Sequence, residues 1–157
     1  MAESLHSGRV GLLVFTLDDR RYGLSLPSVE RVARIVDITP LPQAPDIVLG
    51  VINVHGRIVP VVNVRRRFGL PERAIALTDQ LIVAHTVLRP VALLVDVVTG
   101  VIDHTEQQVV AAREVLAGID YIEGVVKLDD GLILIHDLER FLSLDEETVL
   151  DSAMACV

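Results

Sequence analysis

Apolar residues fall in short blocks divided by polar or glycine-containing turns, a pattern that predicts strands and hairpins instead of a helical layer. Val10 to Leu17 runs into the polar turn Asp18-Asp19-Arg20, and Tyr22 to Leu26 returns as its hairpin partner, ending at Pro27. Ile38 to Pro45 holds Pro40, Pro42 and Pro45, which remove backbone donors, so an extended crossing loop is expected there. Val48 to Val54 and Ile58 to Val64 follow, separated by His55-Gly56-Arg57, where glycine supplies the positive φ of a tight reversal. Asp129-Asp130-Gly131 carries the same hairpin signal in the second half.

Several strands are apolar at odd and even positions alike, as in Leu12 to Phe15 and Leu132 to Ile135. Either both faces are buried or one awaits a partner. Helical signals are short. Thr105 with Gln108 and Ser143 with Glu146 have capping-box spacing; the first predicts a connector through Ala111 to Leu116, the second a terminal helix through Leu150.

The chain also matches itself. A shift of 69 residues lays Leu12-Leu13-Val14 on Leu81-Ile82-Val83, and Leu24, Leu26, Val29 and Val32 on Leu93, Val95, Val98 and Val101. A shift of 74 lays Gly50-Val51-Ile52 on Gly124-Val125-Val126, and Ile58, Val59, Val61 and Asn63 on Leu132, Ile133, Ile135 and Asp137. Two blocks recur in the same order, which predicts an internal duplication with subdomains at residues 1–77 and 78–157, together one domain. The residue pattern leaves open which sheet the first strand joins, since an early strand can cross to complete the other.

Composition supports a β-rich fold. Hydrophobic residues make up 51% of the 157 and aromatics 3%, with no Trp, and β-branched Val is the commonest residue. So few aromatics exclude a stacking platform for single-stranded nucleic acid, and a net charge of -8 opposes phosphate neutralisation, so no nucleic-acid partner is expected. The charge is uneven: residues 1–77 hold 10 basic and 7 acidic side chains, residues 78–157 hold 4 and 15. Such asymmetry bears on partners and encounter rates. The single cysteine, Cys156, suits a reducing compartment. Met1 to Arg9 has no apolar run of signal-peptide length, and no stretch reaches the ~18 apolar residues of a bilayer span. A cytoplasmic protein with no direct membrane insertion is expected.

Candidate chemistry is sparse. A duplicated β fold suggests an aspartic hydrolase with one carboxylate per half, but Asp96 falls opposite Pro27 and Asp137 opposite Asn63, and no Asp-Ser/Thr-Gly loop occurs. None of His6, His55, His85, His104 and His136 lies at metal-motif spacing from another. His85, in mid-strand, reads as a partly buried structural residue, and Asp137 as a cap for the turn Leu138 to Leu142. No nucleophile elbow, P-loop or dinucleotide fingerprint appears. No catalytic residue, cofactor or metal is expected. Arg65-Arg66-Arg67 is open to two readings, a solvated turn offsetting the carbonyl end of a short helix or a contact with an acidic partner. Gly50 to Gly56 is more specific, joining an apolar strand, a glycine turn and polar groups able to register a partner's backbone.

The stretch Gly50 to Leu70, GVINVHGRIVPVVNVRRRFGL, resembles the signature of the CheW-like chemotaxis coupling proteins, usually G-V-x-N-L-R-G-x-x-x-P-V-x-D/N-L-R-x-x-F. Phe15 to Leu17, Tyr22-Gly23-Leu24, the Pro-rich loop and Leu94-Val95-Asp96-x-Val98 fit as well, so the resemblance covers about residues 9–143. It implies an all-β fold of two five-stranded SH3-like β-barrels packed about a hydrophobic interface, with short connecting helices. It also implies a non-enzymatic adaptor between the cytoplasmic tip of methyl-accepting chemoreceptors and the regulatory domain of a CheA-type histidine kinase, at membrane-associated receptor arrays. The partner-contact positions it implies are Val29, Arg31, Gly50, Asn53, His55 and Gly56. Two depart from the pattern: His55 stands where the family usually has Arg, and Arg31 where it has Glu. Partner specificity is therefore expected to differ, as in an accessory or alternative pathway. The competing expectation is a stand-alone regulator that binds the kinase, or a small ligand, without engaging receptors.

Overall fold

The computed structural model describes residues 9–105, 109–111 and 122–155. Eleven strands are described: β1 (Arg9–Leu17), β2 (Arg20–Ser25), β3 (Val29–Arg34), β4 (Val48–Val54), β5 (Arg57–Val62), β6 (Gln80–His85), β7 (Pro90–Val95), β8 (Val97–Thr105), β9 (Val109–Ala111), β10 (Ile122–Leu128) and β11 (Gly131–His136). Helices are short, α1 (Val64–Arg67) and α2 (Leu144–Met154).

Two sheets form, β8-β1-β2-β11-β10-β9 and β3-β6-β7-β5-β4. Each takes strands from both halves of the chain. The β1–β2 hairpin joins β11 through a parallel pairing of Tyr22 with Leu134 and Gly23 with Ile135, and the β6–β7 hairpin joins β5 by pairing Ala92 with Val61 and Leu93 with Val62. The repeat unit and the sheet are thus different sets of residues. Registers obey the two sequence shifts: Val61 with Ala92 becomes Ile135 with Gly23, and Arg31 with Val83 becomes Gly100 with Val14. Even the bulges recur, at Val48/Gly50 and again at Ile122/Gly124.

Side chains alternate across each strand, and strands such as β1 and β6 bury both faces. Leu12 and Val14 turn into a cluster with Val126, Ile133 and Ile135, while Leu13, Phe15 and Leu17 turn the other way. Leu81 and Val83 likewise face Ile52, Val59 and Val61, whereas Ile82 and Ala84 join the central core with Phe15, Leu24, Leu93 and Leu150. That core between the sheets explains the continuous apolar runs.

Several expectations need correction. Among the described residues neither sheet closes into a five-stranded barrel. The proline-bearing crossing loop offers β4 only the bridge of Thr39 with Val51, and the bulge at Val29/Arg31 breaks the register of β3. Val109–Ala111 is a strand and not helix, because Val109 and Val110 pair with Val126 and Val125; residues 106–108 and 112–121 of the expected connector lie outside the described residues. The Ser143 capping box is complete, with the Glu146 N–H on Ser143 Oγ at 3.1 Å and the Ser143 N–H on Glu146 Oε1 at 2.8 Å. Asp137 sits at the start of its 3₁₀ turn but lacks a side-chain cap bond, its Oδ2 lying 3.6 Å from Arg140 Nε. Asn63, its repeat mate, does cap, accepting the Arg66 N–H at 3.1 Å.

Candidate functional site

Hairpin β4–β5 turns through only His55 and Gly56, with Val54 paired to Arg57. Both turn residues are left-handed, φ 49° and 84°, the type I′ geometry that matches strand twist. A Cβ on Gly56 would meet open space, so glycine is there for its conformation. Asn53 Oδ1 accepts the Gly56 N–H at 2.8 Å and locks the turn. Gly50 answers a different demand: a Cβ there would lie 2.3 Å from the Thr39 carbonyl oxygen, so glycine lets the crossing loop pack directly on β4.

The bulge in β3 brings Arg31 opposite Val83 and leaves Glu30 outside the ladder. Arg31 Nη1 meets His55 Nε2. Glu30 joins Arg57 and also His85, whose Nε2 is 2.7 Å from Glu30 Oε1. The Arg57 hydrogen bond, with further help from the Arg57 and His85 charges, holds the Glu30 carboxyl below its usual range. His85 is the last residue of β6 and half-exposed, in contact with Glu30, not the partly buried mid-strand residue expected from the sequence.

Arg31, Asn53 and His55 line one open groove of about 200 Å3, with Ile52, Val54 and Val83 as its apolar wall. Gly56 stands at the turn beside it. Val29 does not share the groove: it is half-buried and packs on the central core. Gly50 is buried beneath the crossing loop. The six expected residues therefore divide into a groove-and-turn group and two positions that shape the strands carrying it. Glu30 and Arg57 are not among the contact residues expected from the sequence, and His85 reads there as structural. The turn of β5 toward β3 is what assembles them, and spacing along the chain carries no sign of it.

The arginine run is spent inside the chain. Arg65 is buried and fans out to Asp18 Oδ1 at 2.7 Å, both Asp96 oxygens at 2.7 and 2.9 Å, and the Pro71 carbonyl at 2.9 Å. Arg73 bridges Asp79 at 2.6 Å and Asp96 at 2.7 Å. Partial burial alone would raise the Asp96 carboxyl, but Arg65, the Asp18 N–H and Arg73 outweigh it and hold it low. The hydrogen bond to Asp18, then those to Asp96, raise Arg65 further against its burial. Arg66 pairs with Glu72 at 3.4 Å and Arg67 with Glu146. Among the described residues no group of three or more His, Cys, Asp or Glu could hold a metal, and no helix is long and apolar enough to cross a membrane.

The family model for the CheW-like domain matches residues 11–146. The chain is 27% identical over 141 residues to the chemotaxis protein CheW of Treponema pallidum, covering 86% of this chain and 83% of that protein. It is 34% identical over 131 residues to the chemotaxis protein CheW of Thermotoga maritima, covering 83% and 86%. Among solved structures, the crystal structure of the scaffolding protein TtCheW from Thermoanaerobacter tengcongensis superposes with a TM-score of 0.79 at 31% identity, over 87% of this chain and 94% of that one. Its fold is the same SH3-like double-sheet architecture.

Proposed function

From its membership of the CheW-like domain family, in which this chain stands as a chemotaxis adaptor, we propose that it couples methyl-accepting chemoreceptors to the regulatory domain of a CheA-type histidine kinase. It does so without catalysing a reaction, from the cytoplasm and at receptor arrays reached through its partners. The observation that carries this reading is the groove where β3 meets the β4–β5 turn. There an Asn53-locked reversal presents apolar strand ends beside polar groups able to register another backbone. Val29, Arg31, Gly50, Asn53, His55 and Gly56 are the proposed contact set, with Val29 and Gly50 acting through strand position. Arg31 beside His55, in place of the family's usual acid–base pair, supports service in an accessory or alternative pathway with its own kinase and receptors.

The test is co-sedimentation of the purified chain with a kinase regulatory domain and a receptor cytoplasmic fragment from the same genome, singly and together. A ternary pellet is expected. Binding to the kinase alone would replace the coupler by a stand-alone regulator, and binding to neither would reject both.

A further inference from the structure

Three of the most exposed large hydrophobic residues crowd one place: Leu144 at 88%, Val87 at 87% and Leu88 at 65% exposure. Clustered exposure of this kind marks an interaction surface more often than chance does. Between them opens a cleft of about 110 Å3, floored by Val62, Val91, Leu138 and Phe141 and walled by Leu88, Leu142 and Leu144. None of its lining residues belongs to the groove beside Arg31 and His55.

The walls are held rigid. Thr86 Oγ1 accepts the Leu88 and Arg89 N–H groups at 3.2 and 3.1 Å, fixing the β6–β7 turn, and the Val87 N–H donates to both oxygens of Glu139 at 3.1 Å. Ion pairs of Arg67 with Glu146 and Arg89 with Asp151 pin α2 against the body. A preformed cleft spares a partner the entropy of ordering it.

Its chemistry is specific. Glu147 lines the cleft with Oε2 buried and without a hydrogen-bond partner among the described residues. A desolvated carboxylate oxygen left unpaired is costly, and a cationic donor is the group that relieves the cost. Glu139 adds negative charge to the same lining, which disfavours an acidic partner or an anionic lipid surface. We propose that this cleft docks an amphipathic helix of a partner protein, an apolar anchor entering between Leu88 and Leu144 and an adjacent Arg or Lys pairing with Glu147. Helix-in-groove recognition has this form, with anchors at helical spacing and one charge setting register.

The test titrates the full chain into a fluorescently labelled 18-residue amphipathic peptide bearing Leu at positions i, i+3, i+4 and i+7 with one flanking Arg, read by anisotropy. A second peptide has that Arg changed to Gln. Saturable binding of the Arg peptide is expected, weakened about tenfold by Glu147→Gln, with the Gln peptide indifferent to that substitution. Leu88→Asp with Leu144→Asp should abolish binding of both peptides; the exposure of both leucines leaves the fold intact, checked by circular dichroism. No binding by the wild-type chain, or binding unchanged in the double variant, overturns the proposal. So does saturable binding of hexylammonium with no peptide binding, which would make the cleft a small-ligand site.

Discussion

His136 ends β11 deep in the core, 1% exposed, its ring edge-on to Phe68 at 5.4 Å and to Phe141 at 4.8 Å between centroids. Neither ring nitrogen has a partner among the described residues. Arg67 lies over the Phe141 ring, 5.5 Å from its centroid. Burial pushes the imidazole down to about 3. In the unfolded chain the same ring titrates near its ordinary value of about 6.5. Between these values only the unfolded state takes up the proton, so the stability due to this residue is full above about pH 6.5 and falls as pH drops toward 3. The loss amounts to about 2 kcal/mol by pH 5, at roughly 1.4 kcal/mol per pH unit below pH 6. The duplication supplies the control: the shift of 74 puts Val62 at the equivalent position, buried in the same core. His136→Val forfeits two edge contacts of about 1 kcal/mol each but removes two unpaired buried nitrogens, so at pH 7.5 it should lie within about 2 kcal/mol of the wild type. Urea unfolding of both proteins at pH 7.5, 6.5, 5.5 and 5.0 reads the difference, with about 2 kcal/mol of added acid loss expected for the wild type alone. Parallel stability profiles would refute the reasoning, because they would mean that His136 is charged or hydrogen-bonded in the folded state.

Gly50→Ala drives a Cβ into the Thr39 carbonyl and should destabilise by about 2–3 kcal/mol, seen as a lowered Tm, whereas Gly56→Ala, with open space around it, should cost about 1 kcal/mol through backbone strain. Asp96→Asn leaves buried Arg65 with Asp18 as its remaining counter-charge and should cost about 3 kcal/mol at neutral pH. Because the Asp96 carboxyl is held low, its stabilising effect is present above pH 4 and fades as pH falls below it, so the variant's deficit should shrink in acid when followed by urea unfolding. Val29→Asp or Gly56→Asp should weaken kinase binding more than Arg66→Ala, since Arg66 is engaged with Glu72 on its own chain; equal losses in three folded variants, measured by co-sedimentation, would overturn that ranking.

The candidate site was partly legible in the amino-acid sequence. Gly56 announces a tight turn by its conformational freedom, and the turn is where it places it; that Asn53 locks this turn shows only in the structure. Arg65-Arg66-Arg67 was ambiguous for a physical reason: a cation's partner is chosen by whatever carboxylate the fold delivers, and Asp18, Asp96 and Glu146 come from three distant segments. His85 misled because β6 ends at it: the register of β3 stops at Ala84, so no strand covers His85 on that side, and Glu30, left out of the ladder by the bulge at Val29/Arg31, reaches it.

Strand identity, hairpin turns, the Ser143 cap and the duplication are local or periodic properties, carried by side-chain alternation, backbone preference and repeated spacing, so the amino-acid sequence alone determines them. Which hairpin completes which sheet is another matter. The exchange of β1–β2 and β6–β7 between halves rests on parallel pairings across more than a hundred and about thirty residues, Tyr22 with Leu134 and Val61 with Ala92. Strands that are apolar on both faces fit either sheet equally well by pattern. Only packing of the whole molecule selects the arrangement that buries both faces at once, and with it the groove at His55 and the cleft beneath α2.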